Sequence, residues 1–533
     1  MPDRSLVSRL SFIPQDMPML LRLFLAAISG AILSLSYTGL YWPIFSWFCI
    51  GILIVSIAGA TPKISFFCGF LHAIAFVLLS VPWFATVLYL HGGVSRAGGW
   101  ALLLLIAASW GILSGSFAML VQQVSRQRIA NAFVAAPFLW VAFEFIRERL
   151  PEIGFPWNLL GYPASANAAL VQITSVTGMY GLSFLVAAFN SLWAWSFTET
   201  TVSIQRRSAI FGAAVLALLC VLFIGPRMVP QASAYHVARG IQLNFPEVDS
   251  YDPNWFSTHD KDMREIEQLS LAQTGSQPDL LIWPETPAPF SYQNSDFVRW
   301  ADEVAIRFKH PFLAGVVEWK AANDTASSEP GKLVPYNSAV LINEYGHRKF
   351  SYDKVHLVPF GEYEPFPLIH QVVKNVSNEV GGFEKGSRYL IGEISNGYTF
   401  GTFICYEAIF GGEVRKFAAG GADLFINISN DGWFGRSSAA DQHLVMARVR
   451  AVENRRWLLR VTNNGYTVSV DPYGRVFRPI GPDVRGAVDL PYDFRTEATI
   501  YTRYGDWFAW LCIIVSVILL TISWKQNKYL KAA

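Results

Sequence analysis

The chain is short of charge. Of its 533 residues only 15% are Asp, Glu, Lys or Arg, while 52% are hydrophobic; soluble proteins carry about 25% charged residues. That balance excludes an ordinary water-soluble protein, and the length exceeds one ordinary domain. The net charge of +2 is small, and there is no lysine-rich run or nucleic-acid motif, so nucleic acid is not an expected partner. Cysteine is also scarce. Four of the five (Cys49, Cys68, Cys220 and Cys512) fall inside long apolar stretches, which leaves Cys405 as the one cysteine outside them, at the end of the run Tyr398–Cys405. A lone thiol cannot staple its own region, and no His/Cys cluster with zinc spacing accompanies it, so neither a disulfide framework nor a metal site is expected. Cys405 is therefore either a packed thiol or a nucleophile.

What is abundant is apolar and aromatic, with 18 Trp and 39 Phe. A bilayer-spanning helix needs about 20 mostly apolar residues. Eight stretches qualify, at 20–37, 42–60, 64–90, 98–124, 130–147, 177–198, 208–226 and 506–524. Arg4, Arg9 and Arg22 precede or open the first, as in a signal sequence, but no small-residue cleavage site follows, so it reads as an uncleaved anchor. Lys63, Arg126, Arg128, Arg206 and Arg207 lie in alternate short loops, and Lys525, Lys528 and Lys531 follow the last stretch. The loop after the fifth stretch breaks this pattern with Arg147 and Arg149, accompanied by Glu148 and Glu152. The positive-inside bias puts both termini in the cytoplasm and residues 227–505 on the opposite side. The predicted organisation is a seven-span domain over 1–226, a catalytic domain over 227–505, and a final span with a cytoplasmic tail over 506–533. Apart from Glu144 and His72 the spans hold few ionisable residues, which weakens a transporter reading.

Residues 227–505 mix short apolar runs with amphipathic stretches. Asp279–Trp283, Phe312–Val317, Ser338–Ile342, Tyr398–Cys405 and Asp423–Ile428 read as buried strands. Asn343-Glu-Tyr-Gly346 reads as a hairpin turn, 256–273 and 439–457 as helices, the second capped at Ser437 or Ser438, and 321–335 as a mobile surface loop. The expected fold class is a polytopic α-helical membrane domain of about eight spans plus an α/β sandwich.

Three polar residues follow apolar strands: Glu285 in Leu280-Leu-Ile-Trp-Pro-Glu285, Lys354 in Tyr352-Asp-Lys354, and Cys405 in Gly401-Thr-Phe-Ile-Cys405. Sites in layered α/β folds collect where strands end. A carboxylate, an ammonium and a thiol make a complete nucleophilic set: the carboxylate takes the thiol proton, and the ammonium lowers the thiol pKa and stabilises an oxyanion. Glu362 and Glu407 are further carboxylates near these groups, either positioning Lys354 or lying in turns. The N–H of Tyr406 is a reasonable oxyanion donor.

Trp283-Pro-Glu285, Asp353-Lys354 with Val358-Pro-Phe-Gly-Glu362, and Cys405-Tyr-Glu407, in this order, resemble the nitrilase superfamily. The longer strings Lys354-Val-His-Leu-Val-Pro-Phe-Gly-Glu-Tyr363, Ile428-Ser-Asn-Asp-Gly-Trp-Phe-Gly435, Gln442-His-Leu-Val-Met-Ala-Arg-Val-Arg-Ala-Val-Glu453, Thr462-Asn-Asn-Gly465 and Gly154-Phe-Pro-Trp-Asn158 resemble the bacterial apolipoprotein N-acyltransferases. The resemblance implies an α-β-β-α sandwich held in the inner membrane on its periplasmic side. It implies Glu285 as general base, Lys354 as oxyanion and thiolate stabiliser and Cys405 as nucleophile, with Glu362, Glu407, Tyr406 and Asn337 in support. It further implies an acyltransferase without cofactor or metal. A membrane phospholipid would acylate Cys405, and the thioester would pass its acyl chain to the N-terminal amine of a diacylglyceryl apolipoprotein. A monomer is expected. One departure is the tryptophan that follows Gln-x-Asn-x-Pro in the family: after Gln242-Leu-Asn-Phe-Pro246 the nearest is Trp255, and Tyr251 is the alternative. Pro365–Ile369, Trp433 and Phe434 are either an acyl entrance or interfacial anchors. The nearest rival is a membrane-tethered amidase with water as acceptor; a membrane scaffold is the rival from another class.

Overall fold

The structure, a computed structural model, describes residues 17–38, 42–91, 94–125, 129–151, 154–246, 255–273, 275–286, 288–321, 333–359, 361–363, 382–395 and 397–532. Arg4, Arg9, Arg126, Arg128, Tyr251 and Pro365–Ile369 lie outside them. The chain divides into two compact units, one formed by Met1–Ala85, Trp100–Val229 and Asp506–Ala533, the other by Thr86–Gly99 and Pro230–Gly505.

The first unit is helical. Its helices are α1 (Met19–Ser34), α2 (Ser46–Ile57), α3 (Pro62–Ser80), the start of α4 (Trp83–Leu90), most of α5 (Arg96–Ser125), α6 (Ile129–Glu148), α7 (Met179–Thr198), α8 (Ile204–Phe223) and, at the far end of the chain, α13 (Trp507–Ala532). Among the described residues four helices have the length and apolarity to cross a membrane: α3, α5, α8 and residues Trp507–Gln526 of α13. α1 and α2 are shorter apolar helices. The stretch 64–90, predicted as one span, is two helices. The break falls at Val81 and Pro82, because proline lacks the N–H that the helix ladder needs. Small residues let the helices close up: a Cβ at Gly30 would stand 2.0 Å from the His72 carbonyl oxygen, and one at Gly69 2.2 Å from that of Ser114. Arg22 does not flank its helix as a solvated charge. It is 3% exposed and donates to the carbonyls of Ser56 (2.8 Å) and Ala58 (2.7 Å), satisfying the end of α2. His72 and Glu144 line one cavity with Arg147 and Asn158. There Glu144 accepts from the N–H of Leu160 at 2.7 Å, and Arg147 stacks over Trp110 at 3.8 Å.

The second unit holds two six-stranded sheets. The strands are β1 (His236–Gln242), β2 (Leu280–Ile282), β3 (Phe312–Ala321), β4 (Leu333–Ile342), β5 (Arg348–Asp353), β6 (Ile391–Ser395), β7 (Tyr398–Ile404), β8 (Leu424–Ser429), β9 (Trp457–Thr462), β10 (Thr467–Val470), β11 (Val476–Ile480) and β12 (Gly486–Tyr492). One sheet runs β12-β1-β2-β3-β4-β5, the other β11-β10-β9-β8-β7-β6. In each, three parallel strands form the centre (β1, β2, β3 and β7, β8, β9) and antiparallel strands form the edges. β8 and β9 are buried at every position, as strands covered on both faces must be.

Helices α9 (Asp260–Leu271) and α10 (Ser295–Phe308) lie on the first sheet. Ile266, Trp300 and Val304 pack there against Ile241, Leu281, Val316 and Val340. α11 (Gly411–Ala419) and α12 (Ala439–Asn454) belong to the second, where Phe417 meets Phe403. Each large apolar side chain fully buried here contributes roughly 1.5–3 kcal/mol. The Asn294 side chain caps α10, accepting from the N–H groups of Asp296 and Phe297 at 2.9 and 3.1 Å.

Some local expectations shift. The helix expected over 256–273 is a short turn, Trp255–Thr258, followed by α9. α12 stops at Asn454, where Arg455 turns left-handed (φ +51°), so Trp457 opens β9 instead of extending the helix. Ser438 stands at its N-cap, but its hydroxyl accepts from the Gln442 side chain at 3.3 Å and caps no backbone N–H; the hydroxyl of Ser437 accepts from Ala439 instead. Ala321 and Leu333–Pro335, predicted as loop, pair as strand. Asn343–Gly346 forms the expected turn between β4 and β5, with Gly346 at φ +78°.

Candidate active site

Glu285, Lys354 and Cys405 all stand where strands end. Glu285 comes three residues after β2, its backbone pressed against β3. A Cβ at Gly315 would lie 2.4 Å from the Pro284 carbonyl oxygen and 2.7 Å from the Glu285 Cα, so only glycine lets these strands carry Glu285 so close. Lys354 follows β5 directly, and its N–H donates to the Asn337 carbonyl on β4 at 2.9 Å. Cys405 follows β7 in a left-handed conformation (φ +48°) and opens a single 3-10 turn, Cys405–Ile409. A left-handed non-glycine residue costs about 1–3 kcal/mol and persists only where its surroundings hold it.

The three are buried: Glu285 is 5% exposed, Lys354 1% and Cys405 6%. Lys354 Nζ lies 3.1 Å from Glu285 Oε1 and 3.0 Å from Glu362 Oε1. The same two oxygens accept from one nitrogen, Asn337 Nδ2, each at 2.7 Å. Carboxylates only accept, so the amide orientation of Asn337 is fixed, and its Oδ1 is left buried without a partner. The second oxygen of Glu285 accepts from the N–H of Asn430 at 2.8 Å, and that of Glu362 from Val358 at 2.8 Å. Glu407 takes the other side. Its Oε1 accepts from Tyr352 (2.7 Å), Val355 (2.8 Å) and His356 (3.1 Å), and its Oε2 from Ile404 (2.7 Å). One carboxylate thus ties the loop after Lys354 to the residue before Cys405. Tyr406 turns its ring edge-on to Phe410, at 5.2 Å.

The charges follow from this packing. Burial alone would lower the Lys354 pKa, but Glu285, Glu362 and the thiol more than offset it, so the ammonium is held well above its ordinary range. Burial pushes Cys405 up, the Glu285 and Asp431 carboxylates push it further, and Lys354 and the neighbouring Ser429 hydroxyl only partly oppose them. Lys354 acts on the thiol in the expected direction, but burial and the two carboxylates outweigh it. The raised pKa favours the thiol form, from which a nucleophilic attack would require a base to take the proton as the bond forms. Burial likewise raises Glu407, to about 7, against the pull of its four donors.

A second cluster adjoins the sulfur. Ligand atoms of Cys405, Asp431 and His443 lie within 4.8 Å of one another. Both ring nitrogens of His443 are engaged, with Asp431 at 3.0 Å and the Cys405 carbonyl at 3.0 Å, and Asp431 also takes Arg460 at 2.7 Å and Ser429 at 2.8 Å. Donors spent in this way do not suit a metal.

Over 511 residues, covering 94% of this chain and 95% of the relative, the sequence is 30% identical to the apolipoprotein N-acyltransferase of Geobacter metallireducens. The chain belongs to the apolipoprotein N-acyltransferase family. Relatives of the same name in Rhodopseudomonas palustris (31% over 398 residues, 72% of each chain) and Rickettsia typhi (30% over 391 residues, 72% and 74%) agree. Residues 29–192 match the apolipoprotein N-acyltransferase N-terminal domain, and residues 242–492 match carbon-nitrogen hydrolase. An amidase structure from Nesterenkonia sp. aligns with 49% of this chain and 93% of its own, at 18% identity and TM-score 0.35. The α/β unit is nitrilase-like, and the chain is a membrane protein of the acyltransferase class.

Within that frame the structure gathers Glu285, Lys354, Glu362 and Asn337 into one hydrogen-bonded group, with Cys405, Tyr406 and Glu407 on the adjoining turn. Trp433 and Phe434 are half-buried in the turn Asp431–Phe434. Trp433 meets His91 edge-on at 4.8 Å and Phe434 meets His443 at 6.0 Å. Trp255 is 4% exposed in the core beside Phe245 and Phe290, stacked on His259 at 4.6 Å. The sequence reading did not single out Asn430, Asp431, His443, Arg460 or Tyr352. Asn430, Asp431 and His443 stand inside the strings Ile428–Gly435 and Gln442–Glu453 that resemble the family, and that was the available signal.

Proposed function

We propose that the chain transfers an acyl chain from a membrane phospholipid, through a thioester on Cys405, to the N-terminal amine of an S-diacylglyceryl-cysteine apolipoprotein. The observation that carries this reading is the buried group in which Glu285 and Glu362 share Lys354 and Asn337 beside the left-handed Cys405. Cys405 Sγ attacks the ester carbonyl while Glu285 takes the thiol proton. Lys354, held charged, stabilises the oxyanion, and the N–H of Tyr406 is the second donor. The C–O bond then breaks, Glu285 returns its proton to the leaving oxygen, and a lysophospholipid departs. In the second half the lipoprotein amine attacks the thioester, Glu285 accepts the ammonium proton, and the C–S bond breaks to regenerate the thiol. Glu362 and Asn337 hold Lys354 and Glu285 in register, and Glu407 braces the two loops. Trp433 and Phe434 guide the acyl chain.

The chemistry needs no metal or cofactor. Both substrates carry lipid chains, so both reach the enzyme by lateral diffusion. About eight spans hold the protein in the inner membrane: seven over residues 1–226 and one over 506–533. Both termini are cytoplasmic, the domain over 227–505 is periplasmic, and the chain acts as a monomer. Labelled phospholipid and a diacylated lipopeptide test the reading together. Transfer gives a triacylated peptide with an alkali-stable amide; label released only as free fatty acid would instead make the protein a hydrolase.

A further inference from the structure

His443 sits on α12, is fully buried, and has no part in the chemistry above. Its Nε2 lies 3.0 Å from the carbonyl oxygen of Cys405. A carbonyl only accepts, so Nε2 carries the hydrogen. The other nitrogen, Nδ1, lies 3.2 Å from Arg460 Nη2, which can donate to it, and 3.0 Å from Asp431 Oδ1. Arg460 Nη2 also holds Asp431 Oδ2 at 2.7 Å, and Ser429 donates to Asp431 Oδ1 at 2.8 Å. Arg460, on β9, reaches Asn427 as well, whose Nδ2 donates to the Phe403 carbonyl on β7 at 2.9 Å. Burial and the neighbouring guanidinium lower the imidazole pKa more than Asp431 and the Cys405 carbonyl raise it. Nε2 is committed to the Cys405 carbonyl and Nδ1 is taken up by Asp431 and Arg460, so neither ring nitrogen is left to take the thiol proton.

We propose that His443 is a positioning residue, whose Nε2–H clamps the Cys405 carbonyl and holds the nucleophile in its left-handed conformation, with Asp431 and Arg460 fixing the ring. The strained φ of +48° needs an external hold, and this bond falls on the strained residue itself. The inference rests on Cys405 being the nucleophile, and its test separates the two claims.

Gln and Asn replacements carry the test because they differ only in reach. The amide nitrogen of glutamine in His443→Gln extends to about the place of Nε2, while that of His443→Asn falls a methylene short. Purified full-length variants in detergent with phospholipid are followed for single-turnover acylation of Cys405, and, without lipid, for its alkylation by iodoacetamide. The expected result is His443→Gln within about 3-fold of wild type and His443→Asn slower by about 10–100-fold in acylation, with half-saturating lipid unchanged; the alkylation rates separate in the same order. Equal rates for the two variants, both fast or both slow, overturn the proposal. Alkylation reads sulfur placement without acyl chemistry, so a wild-type protein that never forms a thioester would sink the proposed function while the Gln-to-Asn ratio still decides the role of His443.

Discussion

Replacing Lys354 by methionine isolates the electrostatics of the site. The side chain keeps its length and loses its charge. In the native protein Nζ stands 3.1 and 3.0 Å from two carboxylate oxygens, and the lysine is 1% exposed. At an effective dielectric near 20, each contact is worth about 5 kcal/mol of Coulomb attraction. Desolvation of the ions offsets much of that, and removing one partner of a buried pair costs about 3–5 kcal/mol net. The variant leaves Glu285 and Glu362 sharing only the Asn337 amide, so one of them gains a proton in the folded state. Its folded pKa rises above the unfolded value of about 4.3. A raised carboxylate pKa means that stability is present at low pH and lost as pH rises through the folded value. Lys354→Met is therefore expected to unfold roughly 10 °C below wild type at pH 8, and nearer to it at pH 5. The assay is a thermal scan of both detergent-purified proteins at one fixed rate across that range, since membrane proteins often unfold irreversibly. A deficit that does not change with pH, or a variant as stable as wild type at pH 8, would refute the shared-cation account.

Gly315→Ala places a methyl 2.4 Å from the Pro284 carbonyl oxygen and must displace Glu285; transfer activity is expected to fall about 100-fold while circular dichroism is unchanged. Glu407→Gln sets an NH₂ against at least one of four donors and is expected to cost about 1–3 kcal/mol in denaturant melts. Because Glu407 is raised from 4.5 to about 7, wild-type stability should decline as pH rises through that window, by roughly 3 kcal/mol, and the Gln variant should lose this slope. Glu285→Gln removes the carboxylate that, after burial, pushes Cys405 up; iodoacetamide should then alkylate Cys405 faster at pH 8 than in wild type, while acyl transfer drops by about 100-fold or more.

The chemistry-bearing strand ends were legible because apolar runs mark buried strands, and Glu285, Lys354 and Cys405 stop them abruptly. What pattern could not give was charge inside a strand: Arg460 is fully buried in β9, where an isolated arginine breaks the apolar signature. The same opacity let the helix over 439–457 run past Asn454, since the left-handed stop at Arg455 carries no glycine. Pro82 did mark the break between α3 and α4, but hydrophobicity on both sides hid it. The direction of the thiol shift was beyond reach for a different reason. Lys354 and Glu285 act on Cys405 with opposite signs, and only burial decides between them. Asp431 and His443 required tertiary contact to become meaningful, because α12 and the turn after β8 meet only in the folded unit.

The central claim is a covalent acyl chain on Cys405. Full-length protein incubated with labelled phospholipid, then digested and read by mass spectrometry, should carry one hydroxylamine-sensitive acyl group on the Cys405 peptide. It should be absent in Cys405→Ala, and diacylated lipopeptide should discharge it into an amide. Acylation that persists in Cys405→Ala, or transfer to the lipopeptide without a labelled Cys405, would contradict the account.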